Sequence, residues 1–143
     1  MTWSLRPAEP ADIEPLADLR AEVMRADLTR LGRYDDHRVR QRLRDAFTPS
    51  HTSIIEIAAA LAGSITLRPA ADRHWLEHFY LAPQHQGQGL GSAILEATLA
   101  RARHATVSLI VLQGSPARRL YERHGFRYES EDPIDVTMTR QPL

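Results

Sequence analysis

Three glycines at alternate positions, Gly87, Gly89 and Gly91, interrupt the run 85-HQGQGLGSAILEATL-99 where a helix has to begin. After them Leu90, Ile94, Leu95, Thr98, Leu99 and Ala102 recur at helical spacing and predict a helix with a broad apolar face, ending near His104. A glycine weakens a helix by about 1 kcal/mol relative to alanine, so these three cannot be helping it form. Just before them, 74-HWLEHFYL-81 reads as a strand. A strand that passes through glycines into a helix N-terminus makes a site for an anion. The first helical N–H groups lack partners, carry the positive end of the dipole, and stand clear of any Cβ. The run predicts a phosphate or pyrophosphate cradle; an ordinary helix start with an accidental glycine cluster is the alternative.

Absent residues narrow the ligand. All eighteen basic residues are arginine, so a P-loop lysine and a Schiff-base lysine are excluded. A dinucleotide fingerprint would need glycine at 92 or 94, where Ser92 and Ile94 stand. There are no cysteines, which removes disulfides, thiolate metal ligands and a cysteine nucleophile. The seven histidines lack metal-site spacing, and no metal is expected. Eighteen acidic residues balance the arginines, so no global field argues for nucleic acid or a membrane surface. No apolar run approaches the roughly 18 residues of a membrane span, and the N-terminus lacks a leader pattern. The expectation is a single domain over residues 1–143, cytoplasmic, acting on a small molecule, with a homodimer left open.

Around the cradle the chain alternates its periods. A short strand at 3–6 precedes a helix announced by Pro7, Pro10 and Asp12 and carried by Ile13, Leu16, Leu19 and Val23. A second helix fits 35–47, its arginine series read as a solvated face or as capture of an acidic substrate. Strands at 52–58, 64–68 and 74–81 form an antiparallel meander, with a turn near 60-ALAG-63 and a loop at 69–73. A strand at 106–112, a helix at 116–124 with Ser115 as its cap, and a strand pair at 125–130 and 135–140 complete a mixed α/β domain.

Two stretches carry a family resemblance. Gln86-Gly87-Gln88-Gly89-Leu90-Gly91 resembles the acyl-CoA-binding pattern Gln/Arg-x-x-Gly-x-Gly/Ala of the GCN5-related N-acetyltransferases (GNAT). The segment 117-ARRLYERHGF-126 resembles that family's Ala-x-x-Leu-Tyr-x-x-x-Gly-Phe, at the usual separation and with a strand between. The resemblance covers essentially the whole chain. It implies a mostly antiparallel twisted sheet of about seven strands with four helices, splayed where acetyl-CoA binds as co-substrate, and direct acetyl transfer to a primary amine of a small molecule or peptide. Backbone groups around Phe79, Tyr80 and Leu81 would hold the pantetheine arm. The N–H groups from Gln86, Gly87, Gln88, Gly89, Leu90 and Gly91 to Ser92 would hold the pyrophosphate, and Ala117 and Tyr121 fall on the second motif. Where many members carry asparagine this chain has Gly114, so that side-chain contact is lost or replaced by backbone or water. The same fold could also serve as a catalytically silent CoA-binding regulatory module.

Two side chains are candidates for proton transfer. An alkylamine is mostly protonated at neutral pH and needs a base. Glu77 sits mid-strand, where alternation groups it with Trp75, Phe79 and Leu81, an expensive setting for a carboxylate unless it is used or paired. It reads as base or water-positioner, as an ion-pair partner, or as plainly exposed. His78, expected on the opposite face with Tyr80, is the second choice. Tyr121 reads as core by spacing and, by resemblance, as the acid beside the CoA sulfur. Arg118, Arg119 and Arg123 could contact phosphates or simply face solvent.

Overall fold

The computed structural model describes residues 2–143. Strands β1 (Trp3–Pro7), β2 (Thr52–Ile57), β3 (Ala60–Pro69), β4 (His74–Leu81), β5 (Val107–Leu112), β6 (Arg127–Glu131) and β7 (Asp135–Arg140) form one open sheet. Its order is β1-β2-β3-β4-β5-β7-β6. Every pairing is antiparallel except that between β4 and β5. The helices among the described residues are α1 (Ile13–Arg30), α2 (Asp36–Ala46), α3 (Leu90–Leu99) and α4 (Ala117–Arg123). α3 ends earlier than its apolar spacing predicts, passing into a short 3-10 turn over Ala100–Ala102.

Side-chain alternation divides the core between the two faces of the sheet. One face carries Ile55, Ile65, Leu67, Leu76, Val107 and Leu109 against α3 and α4; the other packs Ile54, Leu61 and Tyr80 against Leu16, Ala17 and Leu43 of α1 and α2. The arginine series of α2 stitches the helix pair together, with Arg44 on Glu14 (2.8 Å) and Arg40 on Asp18 (3.1 Å). At the start of α1, Arg6 reaches both carboxylate oxygens of the buried Asp12, at 2.9 and 2.8 Å, while Asp12 also accepts the Glu9 N–H.

Two expectations for the meander are corrected. The β2–β3 turn is Ala58–Ala59, both with positive φ, and residues 60–63 belong to β3. In β4 the simple alternation fails. Thr66 pairs with Glu77 and Ser64 with Tyr80, so His78 and Phe79 together oppose Ile65 in a β-bulge. His78 takes φ 47°, and its carbonyl is held by the hydroxyl of the buried Ser64 at 2.7 Å. The bulge turns Phe79 toward α3 and α4 and leaves Glu77 on the side of Tyr80, not with Phe79 and Leu81 as alternation predicts.

Candidate active site

β4 and β5 pair only over His74–Leu76 and Val107–Leu109. Beyond Leu76 the two strands part, and the second half of β4 leaves its β5-facing backbone unpaired by a neighbouring strand. The extra residue at His78 adds local twist to β4 there, as bulges do. An open sheet split in this way accepts an extended chain of polar and amide groups between its strands, since the freed backbone supplies donors and acceptors.

The glycine turn closes one side of the split. Gly87 and Gly89 have φ of 75° and 80°, and Gly89 is the N-cap of α3. Such a backbone disfavours side chains, and a Cβ built on either glycine meets no atom within 4 Å. The space over the turn is therefore open to a ligand. The N–H groups of Leu90, Gly91 and Ser92 open the helix and have no intrahelical acceptor, which suits phosphate oxygens. Gly91 differs: its φ is ordinary and an added Cβ would touch Leu120 and Phe79 at 3.8 and 4.0 Å, normal van der Waals contact. Gln86 departs from its expected role. Its N–H is spent on the Pro83 carbonyl (3.2 Å), while its side chain donates to the Leu81 carbonyl at 2.8 Å, so Gln86 fastens the turn to β4 and Leu81 has one acceptor already engaged. Gln88 likewise braces the turn through Gln84 (3.2 Å). Ser92 turns its hydroxyl to His124 at 2.7 Å. A depression of about 800 Å³ opens beyond His124 and the end of α4, lined by Arg123, Gly125, Tyr128 and Arg140.

The second motif forms α4. Ser115 Oγ accepts the Ala117 N–H at 3.2 Å, and Ala117, Leu120 and Tyr121 pack on the core that holds α3. Tyr121 stacks edge-on to Phe126 with centroids 6.0 Å apart. Burial, followed by the nearby Tyr80 phenol, pushes its hydroxyl well above the usual tyrosine range. Tyr80 belongs to the opposite core, so two phenols approach the parted strands from opposite faces. Arg118 pairs loosely with Glu122 at 3.5 Å, and Arg119 and Arg123 face solvent.

Below the bulge lies a polar cluster that sequence patterning only half revealed. Arg68 grips Glu77 with two bonds, Nε–Oε1 2.8 Å and Nη2–Oε2 3.1 Å. Tyr80 Oη accepts from Arg20 Nε at 2.9 Å and lies 3.1 Å from His78 Nδ1. Arg20 also donates to the Val39 carbonyl of α2. The Tyr80 oxygen has room for a second bond beside that from Arg20, so His78 Nδ1–H can donate to it, and in that tautomer Nε2 of the neutral imidazole is the free proton acceptor. Burial holds His78 below its ordinary pKa; Glu77 opposes that, and Arg20 and Arg68 reinforce it. Arg20 was not among the predicted residues. It continues the stripe of Leu16, Ala17 and Ala21 along α1, and a charge on an apolar stripe is the signal that could have found it. Gly114 (φ 75°) stands past β5, and a side chain there would displace the Arg30 guanidinium, whose Nη1 lies 2.8 Å from the position of a Cβ.

Residues 16–126 match the Acetyltransferase (GNAT) family. No curated protein matches the sequence as a relative. Among solved structures, the PaiA N-acetyltransferase of Thermoplasma acidophilum in complex with coenzyme A superposes with a TM-score of 0.77 at 20% identity, covering 99% of each chain. Ard1 of Thermoplasma volcanium gives 0.73 at 22% identity over 100% of this chain and 99% of its own. N-acetylglutamate synthase of Neisseria gonorrhoeae, complexed with coenzyme A and L-arginine, gives 0.67 at 20% identity over 98% of this chain and 33% of its own. With its parted β4 and β5, its glycine-lined α3 start and a family match over most of its length, the chain belongs to the GNAT acetyltransferases.

Proposed function

We propose that residues 1–143 act as one acetyl-CoA-dependent N-acetyltransferase domain that acetylates a primary amine by direct attack. The observation that carries this reading is the parting of β4 from β5 between an open, glycine-lined helix start and a pair of half-buried phenols. The pyrophosphate sits on the first turn of α3 from Gly87 to Ser92, and the pantetheine arm runs along the freed edge of β4 beside Phe79 and Tyr80. The thioester then lies in the gap. The amine nitrogen attacks the thioester carbon, the N–C bond forms, and collapse of the tetrahedral intermediate breaks the C–S bond. His78, neutral and with its polar neighbours fixed, takes the proton leaving nitrogen, directly or through a water held by Glu77. Tyr121 keeps its proton at neutral pH and offers it to the departing sulfur. Glu77, with both oxygens on Arg68, supports His78 by charge. A cytoplasmic location belongs to the same reading. A thiol-release assay with acetyl-CoA across amino acids, polyamines, aminoglycosides and peptides tests it: acceptor-dependent release is expected, and tight CoA binding without release on any amine would instead favour the silent CoA-binding module.

A further inference from the structure

α1 crosses the gap between the parted strands. Near its middle, Arg20 is fixed to Tyr80 on β4 at 2.9 Å. Ten residues further along, Arg30 Nη2 donates to the carbonyl of Gln113, the residue after β5, at 2.8 Å, and to Asp27 at 2.9 Å. At the rise of an α-helix these anchors are about 15 Å apart along the axis, some three times the spacing of paired strands. The helix is therefore pinned at both banks of the split, on the face opposite α3. Gly114 gives Arg30 its seat, since any Cβ there would lie 3.1 Å from the guanidinium carbon. Gln113 reaches in the other direction as well. Its N–H donates to the Ile134 carbonyl at 2.8 Å and its Nε2 to the Asp132 carbonyl at 2.9 Å, which ties in the turn between β6 and β7. That turn is itself tight, with the Asp132 carboxylate capping the N–H groups of Ile134 and Asp135 at 2.8 and 2.7 Å.

We propose that Arg30 and Gln113 form a clasp that closes the acceptor side of the gap, so that the enzyme accepts compact amines and rejects peptide N-termini. This rests on the acetyltransferase reading above and adds the class of acceptor to it. A peptide presents its terminal nitrogen with an extended chain behind it, about 3.3 Å per residue, and that chain needs an open groove to leave by. Here helix α1, the segment after β5 and the β6–β7 turn are bonded to one another through Gln113, so a chain leaving on this side has to break those bonds. A compact amine needs only to bring its nitrogen to the gap. The Arg30 side chain is 46% exposed, which places the clasp on the rim, where it can be removed without emptying the core.

The test uses CoA conjugates and binding, so that it does not depend on turnover. CoA alone, CoA bridged from its sulfur to a short alkylamine, and CoA bridged to the N-terminus of a short peptide are titrated by calorimetry into the intact chain and its variants. The parent should bind all three, with the alkylamine conjugate preferred over the peptide conjugate by roughly five- to tenfold, the scale of one hydrogen-bonded contact that the peptide has to break. Arg30→Ala should erase that preference with CoA affinity and melting temperature unchanged, Arg30→Lys should keep most of it, and Gln113→Ala should weaken it by loosening the β6–β7 turn. Equal binding of both conjugates by the parent, or an undiminished preference in Arg30→Ala, overturns the clasp. A parent that fails to bind CoA itself defeats the cofactor reading first, and the clasp with it.

Discussion

The two sides of the parted strands are built by different means. On the α3 side the site is backbone: two glycines with positive φ and a helix start, all within a few residues of one another. On the α1 side it is side chains brought from far apart, Arg20 to Tyr80 across 60 residues and Arg30 to Gln113 across 83. A cradle made of backbone depends on a few φ angles and on the side chains that brace its turn, Gln86 and Gln88. A cleft made of long-range side-chain bonds can be retuned one residue at a time while the cradle stays put. The difference teaches where to expect constancy and where to expect specificity: cofactor binding in the local stretch, acceptor choice in the assembled one.

The largest expected effect falls where the two sides meet. Tyr121→Phe keeps the ring against Phe126 and the core but removes the hydroxyl proposed as the proton donor to the leaving sulfur. Turnover should fall by roughly 10²–10⁴ while acetyl-CoA affinity and melting temperature hold. Steady-state and single-turnover kinetics decide it. If turnover is retained with chemistry rate-limiting, Tyr121 is a core residue and water protonates the sulfur; if affinity and stability drop together, it builds the pocket.

Next in size is the backbone cradle. Gly89→Val forces a β-branched residue to φ 80° and sets its side chain in the open space proposed for the phosphate oxygens. Acetyl-CoA affinity should fall about tenfold or more, with the fold retained. Gly91→Ala is the paired control, because that Cβ has room and an ordinary φ, and it should bind acetyl-CoA almost normally. Equal losses in the two variants, or none in Gly89→Val, would erase the distinction between a φ-dependent cradle and an ordinary helix start.

The same division explains how much could be read from sequence. The helices and most strands follow from periodicity and turn chemistry within short windows and appear close to their predicted bounds, whereas β3 begins at Ala60 rather than Ser64 and α3 ends at Leu99. Gly63 misled: it suggested a turn, but a Cβ there would lie 1.9 Å from the Tyr80 carbonyl oxygen, so it is glycine to let β4 approach. The true turn uses two alanines with φ of 53° and 62°, residues that carry no turn signal. The bulge in β4 was equally silent, because its positive φ falls on His78 and its support, Ser64, comes from the neighbouring strand. From that one missed residue came the wrong face for Glu77; the ion pair was among the readings for Glu77, but its partner Arg68 was not named. Bonds across 60 or 83 residues leave no local trace except an arginine on an apolar stripe.

A smaller effect should appear in the pH profile. Arg20 helps hold the His78 pKa down, so replacing it by methionine, which keeps much of the stem, should move the acid limb of kcat/KM to higher pH. The sign follows from the base being neutral when active: a higher pKa leaves more of it protonated at a given pH. The shift should be modest, because burial is the leading cause and remains. Acetyl-CoA affinity should stay level, since Arg20 lies on the acceptor side. An unmoved limb in a folded Arg20→Met protein would detach His78 from the rate profile and return the role of base to Glu77 or a water.

The smallest effect concerns how α1 is held at its start. Asp12 is 6% exposed, bonded twice by Arg6 and once by the Glu9 N–H. Those bonds, with the Arg6 side chain foremost, hold its carboxyl below the ordinary value of 3.8 despite burial. A carboxyl with a depressed folded pKa contributes stability that is fully present above its unfolded pKa and is lost as pH falls through the folded one. The melting temperature should therefore drop as pH is lowered from about 5 toward 2. Asp12→Asn should cost about 1–3 kcal/mol at neutral pH and flatten part of that acid slope. Only part is expected to go, because Glu14, Asp36 and Asp132 are also held low by their own partners. Thermal melts of both proteins across that range, with CoA affinity measured alongside, separate the outcomes. An unchanged acid slope in Asp12→Asn would show that the start of α1 is held by packing alone. A loss of CoA affinity at neutral pH would show that the two sides of the split are coupled through α1 rather than built independently.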